Sequence, residues 1–100
     1  MARWVHREFD LRDCGATTVT VCPDVRVNSR RISIDGDPNT DKGGSLIATD
    51  TVGSVRAMGI PVILIRDPAN PDSKCPGDSH CNPRAKTASP DVRAGGNNNP

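Results

Sequence analysis

Pro23-Asp24-Val25-Arg26-Val27-Asn28-Ser29 decides the reading of this chain, because variants of it are written twice more. Val55-Arg56-Ala57-Met58-Gly59 is the second copy and Val92-Arg93-Ala94-Gly95-Gly96 the third, the latter again opening on Pro90-Asp91. The first two copies also continue in parallel. Ile32-Ser33-Ile34-Asp35-Gly36-Asp37-Pro38-Asn39 lines up with Val62-Ile63-Leu64-Ile65-Arg66-Asp67-Pro68-Ala69, both reaching Asp-Pro. Three copies of a hairpin-sized unit predict one architecture assembled from equivalent pieces. Asn28-Ser29, Met58-Gly59 and Gly95-Gly96 fall at the matching turn positions. A two-residue hairpin turn needs positive φ there, which Gly supplies freely and Asn-Ser less readily.

Around the repeats the periodicity is that of strands. Thr17-Thr18-Val19-Thr20-Val21 and Arg31-Ile32-Ser33-Ile34-Asp35 alternate with period two, as half-buried strands do. Val62-Ile63-Leu64-Ile65 is an uninterrupted apolar run, suited to a strand covered on both faces. No segment carries apolar residues at helical spacing over ten positions. The expected fold is all-β, one domain over residues 1–100, with units at about 17–44, 47–75 and 84–97. Longer connections run from Asp37 to Gly44 and from Asp67 to Pro83, and the tail after Gly95 is polar and rich in Gly and Asn.

One hundred residues, 34% of them hydrophobic, with one Trp, one Phe and no Tyr, make a thin core. A chain of this size buries somewhat under ~70% of its unfolded surface. It needs a staple or a partner: disulfides, a metal or an assembly. Thirteen basic and twelve acidic residues, interspersed, leave a net charge of +1. That forms no basic stripe for phosphate backbones, and base-stacking aromatics are scarce, so nucleic acid is not an expected partner. The start, Met1-Ala2-Arg3-Trp4-Val5-His6-Arg7-Glu8, lacks the apolar run of a signal peptide. Ile60–Ile65 falls far short of the ~20 residues of a membrane helix. The expectation is a chain made in the cytoplasm. In a reducing compartment four cysteines favour metal binding or burial; in an oxidising one they permit three pairings among which sequence does not choose.

Cys75-Pro76-Gly77-Asp78-Ser79-His80-Cys81 carries the densest set of ligand types. Zinc prefers thiolate and imidazole in a closed tetrahedral set, often with two ligands from one short loop. Pro76-Gly77 would turn the chain so that Cys75 and Cys81 meet, and His80 joins them if the loop kinks before Cys81. Cys14, beside Gly15, is the fourth expected ligand. The alternative is small buried thiols and a solvated histidine. Cys22 aligns with Val52 and Ser89 and reads as a packed strand position. Asp35-Gly36-Asp37-Pro38-Asn39-Thr40-Asp41 spaces oxygens like a calcium loop, but Thr40 and Leu46 stand where that loop needs Gly and Glu, so a plain turn is the reading. Gly43-Gly44 opens no helix and makes a poor phosphate cradle. His6 has no evident partner. No cleft, oriented base or oxyanion hole is in sight, so neither an enzyme nor a small-molecule substrate is expected.

Pro23-Asp24-Val25-Arg26-Val27-Asn28-Ser29, then a short strand, then Gly36-Asp37-Pro38-Asn39-Thr40 leading to Gly43-Gly44, resembles one unit of the PAAR-repeat proteins. These are the conical spike tips of contractile phage tails, type VI secretion systems and related injection machines. The resemblance spans about Asp10 to Gly96. It departs at the naming tetrapeptide, where Arg31-Ile32-Ser33-Ile34 and Pro61-Val62-Ile63-Leu64 stand, and at the family's His-Gly-Gly, where Lys42-Gly43-Gly44 and Cys14-Gly15 stand. The resemblance implies a conical monomer of pseudo-threefold shape, with a metal near its point held by Cys14, Cys75, His80 and Cys81. Zinc is the expected ion and iron the second choice. It further implies a trimeric β-helical spike as partner, one copy per trimer, at the tip of a virion baseplate or injection machine, with transient contact with the target membrane. A small zinc-stapled β adaptor in the cytosol is the alternative.

Overall fold

A computed structural model describes residues 3–20, 25–49, 55–77 and 79–94. Among them no segment is helical. Six two-residue strands form three antiparallel pairs. β2 (Arg26–Val27) pairs with β3 (Arg30–Arg31), and β4 (Arg56–Ala57) with β5 (Ile60–Pro61). The intervening residues have positive φ at both positions, 54° and 68° at Asn28 and Ser29, 55° and 77° at Met58 and Gly59. That is the twist of a primed two-residue turn, as the repeat alignment predicts.

The third pair joins the first and last described segments. β6 (Arg93–Ala94) pairs with β1 (Arg3–Trp4), so that Arg93 lies opposite Trp4, its guanidinium 4.0 Å from the centre of the indole ring. Gly95 and Gly96, the expected third turn, lie outside the described residues, as does Cys22. The strand opposite the third copy is thus N-terminal, in a segment that the repeat alignment leaves out.

Val5–Asp10 does in fact occupy the place that Ile32–Asp37 and Val62–Asp67 occupy after their hairpins. Val5 N donates to Val92 O at 3.0 Å, Ile32 N to Val25 O at 2.9 Å and Val62 N to Val55 O at 3.2 Å. Next along each segment comes a closed ring: His6 N donates to Ile63 O, Ile63 N to Ser33 O and Ser33 N to His6 O, at 3.0, 2.9 and 3.1 Å. All three residues are solvent-inaccessible. Each segment then turns on an aspartate whose Oδ2 accepts a backbone N–H three residues back. Asp10 takes Arg7 N, Asp37 takes Ile34 N and Asp67 takes Leu64 N, at 2.9, 2.8 and 2.9 Å. The residue before each aspartate has positive φ: Phe9 68°, Gly36 93°, Arg66 73°.

Pairing between segments is head to tail. Arg7 lies opposite Ile32, Ile34 opposite Val62, and Leu64 opposite Val5. One level on, Thr18 lies opposite Asn39, Leu46 opposite Ala69, and Ala85 opposite Arg12. The alternating strands expected at 17–21 and 31–35 are therefore realised, within the described residues, as single pairings rather than long ladders. Each segment contributes a residue or two before passing to its neighbour.

Apolar packing is correspondingly modest. Val5, Ile32, Ile34, Ala57, Val62, Leu64 and Ala94 make one cluster; Leu46, Ala48, Ile63, Ala69 and Ala85 make another. Val62 and Leu64 face the first and Ile63 the second, so this run is covered on both sides. Polar groups fill what remains. Arg12 is fully buried. It donates to Thr18 Oγ1 at 2.6 Å and to the carbonyls of Gly44, Pro83 and Asp37 at 2.8, 3.0 and 3.1 Å. Burial lowers its pKa to about 10, against the pull of nearby Cys14 and acidic groups, so it stays charged at neutral pH. A buried cation is costly unless its donors are satisfied. Here one side chain ties loops from all three segments.

Candidate metal centre

Beyond Arg12, Asn39 and Ala69, the three equivalent pairing positions, the chain runs into three loops. Cys14, Asp41 and Asp72 sit in these loops, and His80 returns from the third. Their ligand atoms all lie within 4.8 Å of one another. Every loop therefore supplies at least one donor.

Local chemistry explains why each loop presents its ligand. Arg12 N donates to Ala16 O and Gly15 N to Arg12 O, folding 12–16 into a tight bend with Cys14 at its crest. Asn39 accepts Asp41 N on its amide oxygen at 2.9 Å, a short polar turn that fixes Asp41. Lys42, Gly43 and Gly44 follow with φ of 69°, 75° and 68°. A Cβ on Gly44 would lie 2.5 Å from Asn39 Nδ2, so glycine is required for that amide to fit. Asp72 is paired with Gly43, and Asp72 N donates to His80 O at 2.9 Å, closing the third loop on itself.

Inside the cluster, His80 Nδ1 lies 3.0 Å from both Asp72 oxygens and 3.6 Å from Asp41 Oδ2. Cys14 Sγ lies 3.6 Å from Asp72 Oδ2. The Asn39 amide donates to Asp72 Oδ2 at 3.0 Å, with Cys14 Sγ 4.0 Å away. Lys74 pairs with Asp41 Oδ1 at 3.1 Å, and its backbone N–H donates to Asp72 Oδ1 at 2.9 Å. Burial raises the pKa of Asp72, but hydrogen bonds from His80, Lys74 N–H and Asn39 outweigh it and hold the carboxyl at about 2. Burial, with the nearby carboxylates, pushes the Cys14 thiol up against the opposing Ala16 N–H. A divalent cation among these groups would reverse that, because it favours the thiolate.

The donor set suits such an ion. Zinc bonds of 2.0–2.3 Å place tetrahedral ligands about 3.3–3.8 Å apart. The separations at Asp72–His80, Asp72–Cys14 and Asp41–His80 are near that range, so small side-chain movements would close the set. Thiolate, imidazole and carboxylate are all zinc ligands, and a mixed set also accepts iron(II). This Cys/Asp/Asp/His cluster can hold a metal ion.

Of the four expected ligands, Cys14 and His80 are brought together and Cys75 and Cys81 are not. Cys75 and Cys81 form a disulfide across the Pro76-Gly77 turn, with Cα atoms 4.8 Å apart. The turn does bring the sulfurs together, and bonded to each other they offer no thiolate. Asp41 and Asp72 stand in their place. The sequence does not single out Asp72, and marks Asp41 only as the end of the calcium-like stretch read as a plain turn. The disulfide instead clamps the loop bearing His80. In the calcium-like stretch, Asp35, Asp37 and Asn39 each accept backbone N–H groups, from Ala48, Ile34 and Asp41. Those oxygens are spent on holding backbone, whereas Asp41, the last residue of the same stretch, joins the metal cluster, so the plain-turn reading does not hold there.

No protein-family model matches the chain, and neither does any curated protein or solved structure.

Proposed function

We propose that this chain is the tip of a trimeric spike in a contractile injection machine, a conical monomer whose three units are related by a pseudo-threefold axis. The observation that carries the reading is the hydrogen-bonded ring of His6, Ser33 and Ile63, where three segments meet through the same backbone atoms. A monomer built this way can match a threefold partner without being a trimer. The metal cluster supports the reading too. It draws ligands from all three loops at one level, where a cross-link would fasten a narrow end poor in apolar contacts. Zinc is the ion proposed, structural rather than catalytic, because four protein donors leave no position for substrate.

The other end carries the partner surface. Val25, Val55 and Val92 hold equivalent positions before the three strand pairs and are 36%, 50% and 37% exposed. Each is followed by an exposed arginine: Arg26, Arg56, Arg93. Three copies of one Val-Arg pair suit a trimer presenting three copies of an apolar patch edged with acid. Native mass spectrometry of the chain mixed with a β-helical spike trimer should give one copy per trimer. Three copies, or no association, would leave the reading of a metal-stapled β adaptor.

A further inference from the structure

Where the chain following Val5–Asp10 meets the segment Val62–Asp67, a cavity of about 240 Å³ opens among Asp13, Arg66, Arg84, Ala85 and Lys86. Its walls are fixed by backbone bonds: Arg66 N to Ala85 O, Lys86 N to Leu11 O and Asp13 N to Arg84 O, at 2.7, 2.8 and 3.0 Å. Among the described residues, the side chains of Arg66, Arg84 and Lys86 have no ion-pair or hydrogen-bond partner. Three unpaired cations around one cavity repel one another, and a single carboxylate, Asp13, offsets only one of them.

The same backbone bonds occur at the other two junctions, which shows that the scaffold does not require these charges. Gly36 N donates to Leu46 O, Ile47 N to Pro68 O and Asn70 N to Ser45 O; Phe9 N donates to Thr18 O, Val19 N to Pro38 O and Thr40 N to Thr17 O. At the positions of Arg66, Arg84 and Lys86 those junctions therefore carry Gly36, Ser45 and Ile47, and Phe9, Thr17 and Val19. Of three equivalent places, one is basic and two are neutral.

We infer that this cavity binds a phosphoryl group, as free phosphate or as the headgroup of a phospholipid. Two guanidinium forks and an ammonium match three phosphoryl oxygens, and three cations less one carboxylate balance a dianion. A carboxylate would leave one cation unanswered, and the volume admits the phosphoryl group with its substituent or hydration. The inference is independent of the spike-tip reading.

The test uses the full chain and the variant Arg66→Gly/Arg84→Ser/Lys86→Ile, which installs the residues found at the second junction and leaves the backbone scheme intact. Gly also suits the positive φ at position 66. Amide NMR titration with sodium phosphate, against sodium chloride at equal ionic strength, should give saturable shifts at Asp13, Arg66, Arg84, Ala85 and Lys86. The variant should bind at least about tenfold more weakly. Phosphatidylcholine vesicles with and without phosphatidic acid form the second arm. Phosphatidic-acid-dependent sedimentation lost in the variant assigns the phosphoryl group to a lipid, and a phosphate response without sedimentation assigns it to a soluble ligand. No response in either arm, or an equal response in the variant, overturns the inference. Should thermal melting show the triple variant unfolded, the exposed single change Arg84→Ser makes the same comparison.

Discussion

Acidification from pH 7.5 to 4 should weaken this fold by an amount set largely by His6. The ring is solvent-inaccessible, with Nε2 2.6 Å from Thr18 Oγ1 and Nδ1 2.7 Å from Thr87 O. Thr87 O can only accept, so Nδ1 carries the proton, and Nε2 accepts the proton of the Thr18 hydroxyl, whose oxygen also accepts from Arg12 at 2.6 Å. His6 is thereby fixed as the neutral tautomer with its proton on Nδ1. Protonating Nε2 would take away the acceptor of the Thr18 hydroxyl proton in a solvent-inaccessible site. Burial above all, with repulsion from Arg12 and Arg7, lowers the pKa to about 4, against the raising effects of Thr87 O and Asp10. In the unfolded chain the value returns to 6.5. Between those values the unfolded state holds the extra proton, so stability falls as pH drops through the window and is intact above it. The linkage relation gives a loss of about 2 kcal/mol by pH 5 and about 3 kcal/mol by pH 4. Asp72, with its pKa lowered, acts in the same direction but only below the unfolded carboxylate value, and is lost as pH falls toward 2. Urea unfolding of the wild type and His6→Gln at several pH values separates the contributions, because the variant lacks only the imidazole. The wild-type loss from pH 7.5 to 5 should exceed that of the variant by about 2 kcal/mol. Parallel curves would refute the assignment of His6 as a buried neutral base.

Two further predictions concern the metal centre. Replacing Cys75 and Cys81 together by serine should cost about 2 kcal/mol, the closure entropy of a short loop, while elemental analysis still finds bound metal. Cys14→Ser or His80→Ala should abolish that binding, and loss of metal in the Cys75/Cys81 variant would restore the thiolate-rich set. Gly44→Ala should destabilise by about 1–3 kcal/mol through its positive φ and the contact with Asn39. It should also weaken metal retention against a chelator, because Asn39 orients Asp72; an unchanged chelation profile would show that Asn39 is not needed to hold the site.

The hairpins were legible because turn chemistry is local. Asn28-Ser29 and Met58-Gly59 favour a tight reversal by their own turn chemistry, and both positions of each have positive φ here. The segment Val5–Asp10 was not legible as a repeat. It shares with Ile32–Asp37 and Val62–Asp67 only a β-branched first residue and a final aspartate. What makes the three equivalent is backbone hydrogen bonding, which side chains barely record. The site was half legible for the same reason. Cys14 and His80 carry ligand chemistry by residue type, whereas Asp41 and Asp72 become ligands only by position. Asp41 follows Asn39 as Cys14 follows Arg12, two residues on in each case, a signal readable only after Val5–Asp10 has been aligned.

The pairing of Arg3–Trp4 with Arg93–Ala94 has a kinetic meaning. A hairpin closes over a few residues within microseconds, but this pair closes over nearly the whole described chain. Val5 N must wait for Val92 O, whereas the ring through His6 needs only Ser33 and Ile63. Arg3–Trp4 and Val5 N thus gain these partners only once residues 92–94 have been made, well after the two local hairpins can pair. A chain of such long-range contacts folds slowly for its size.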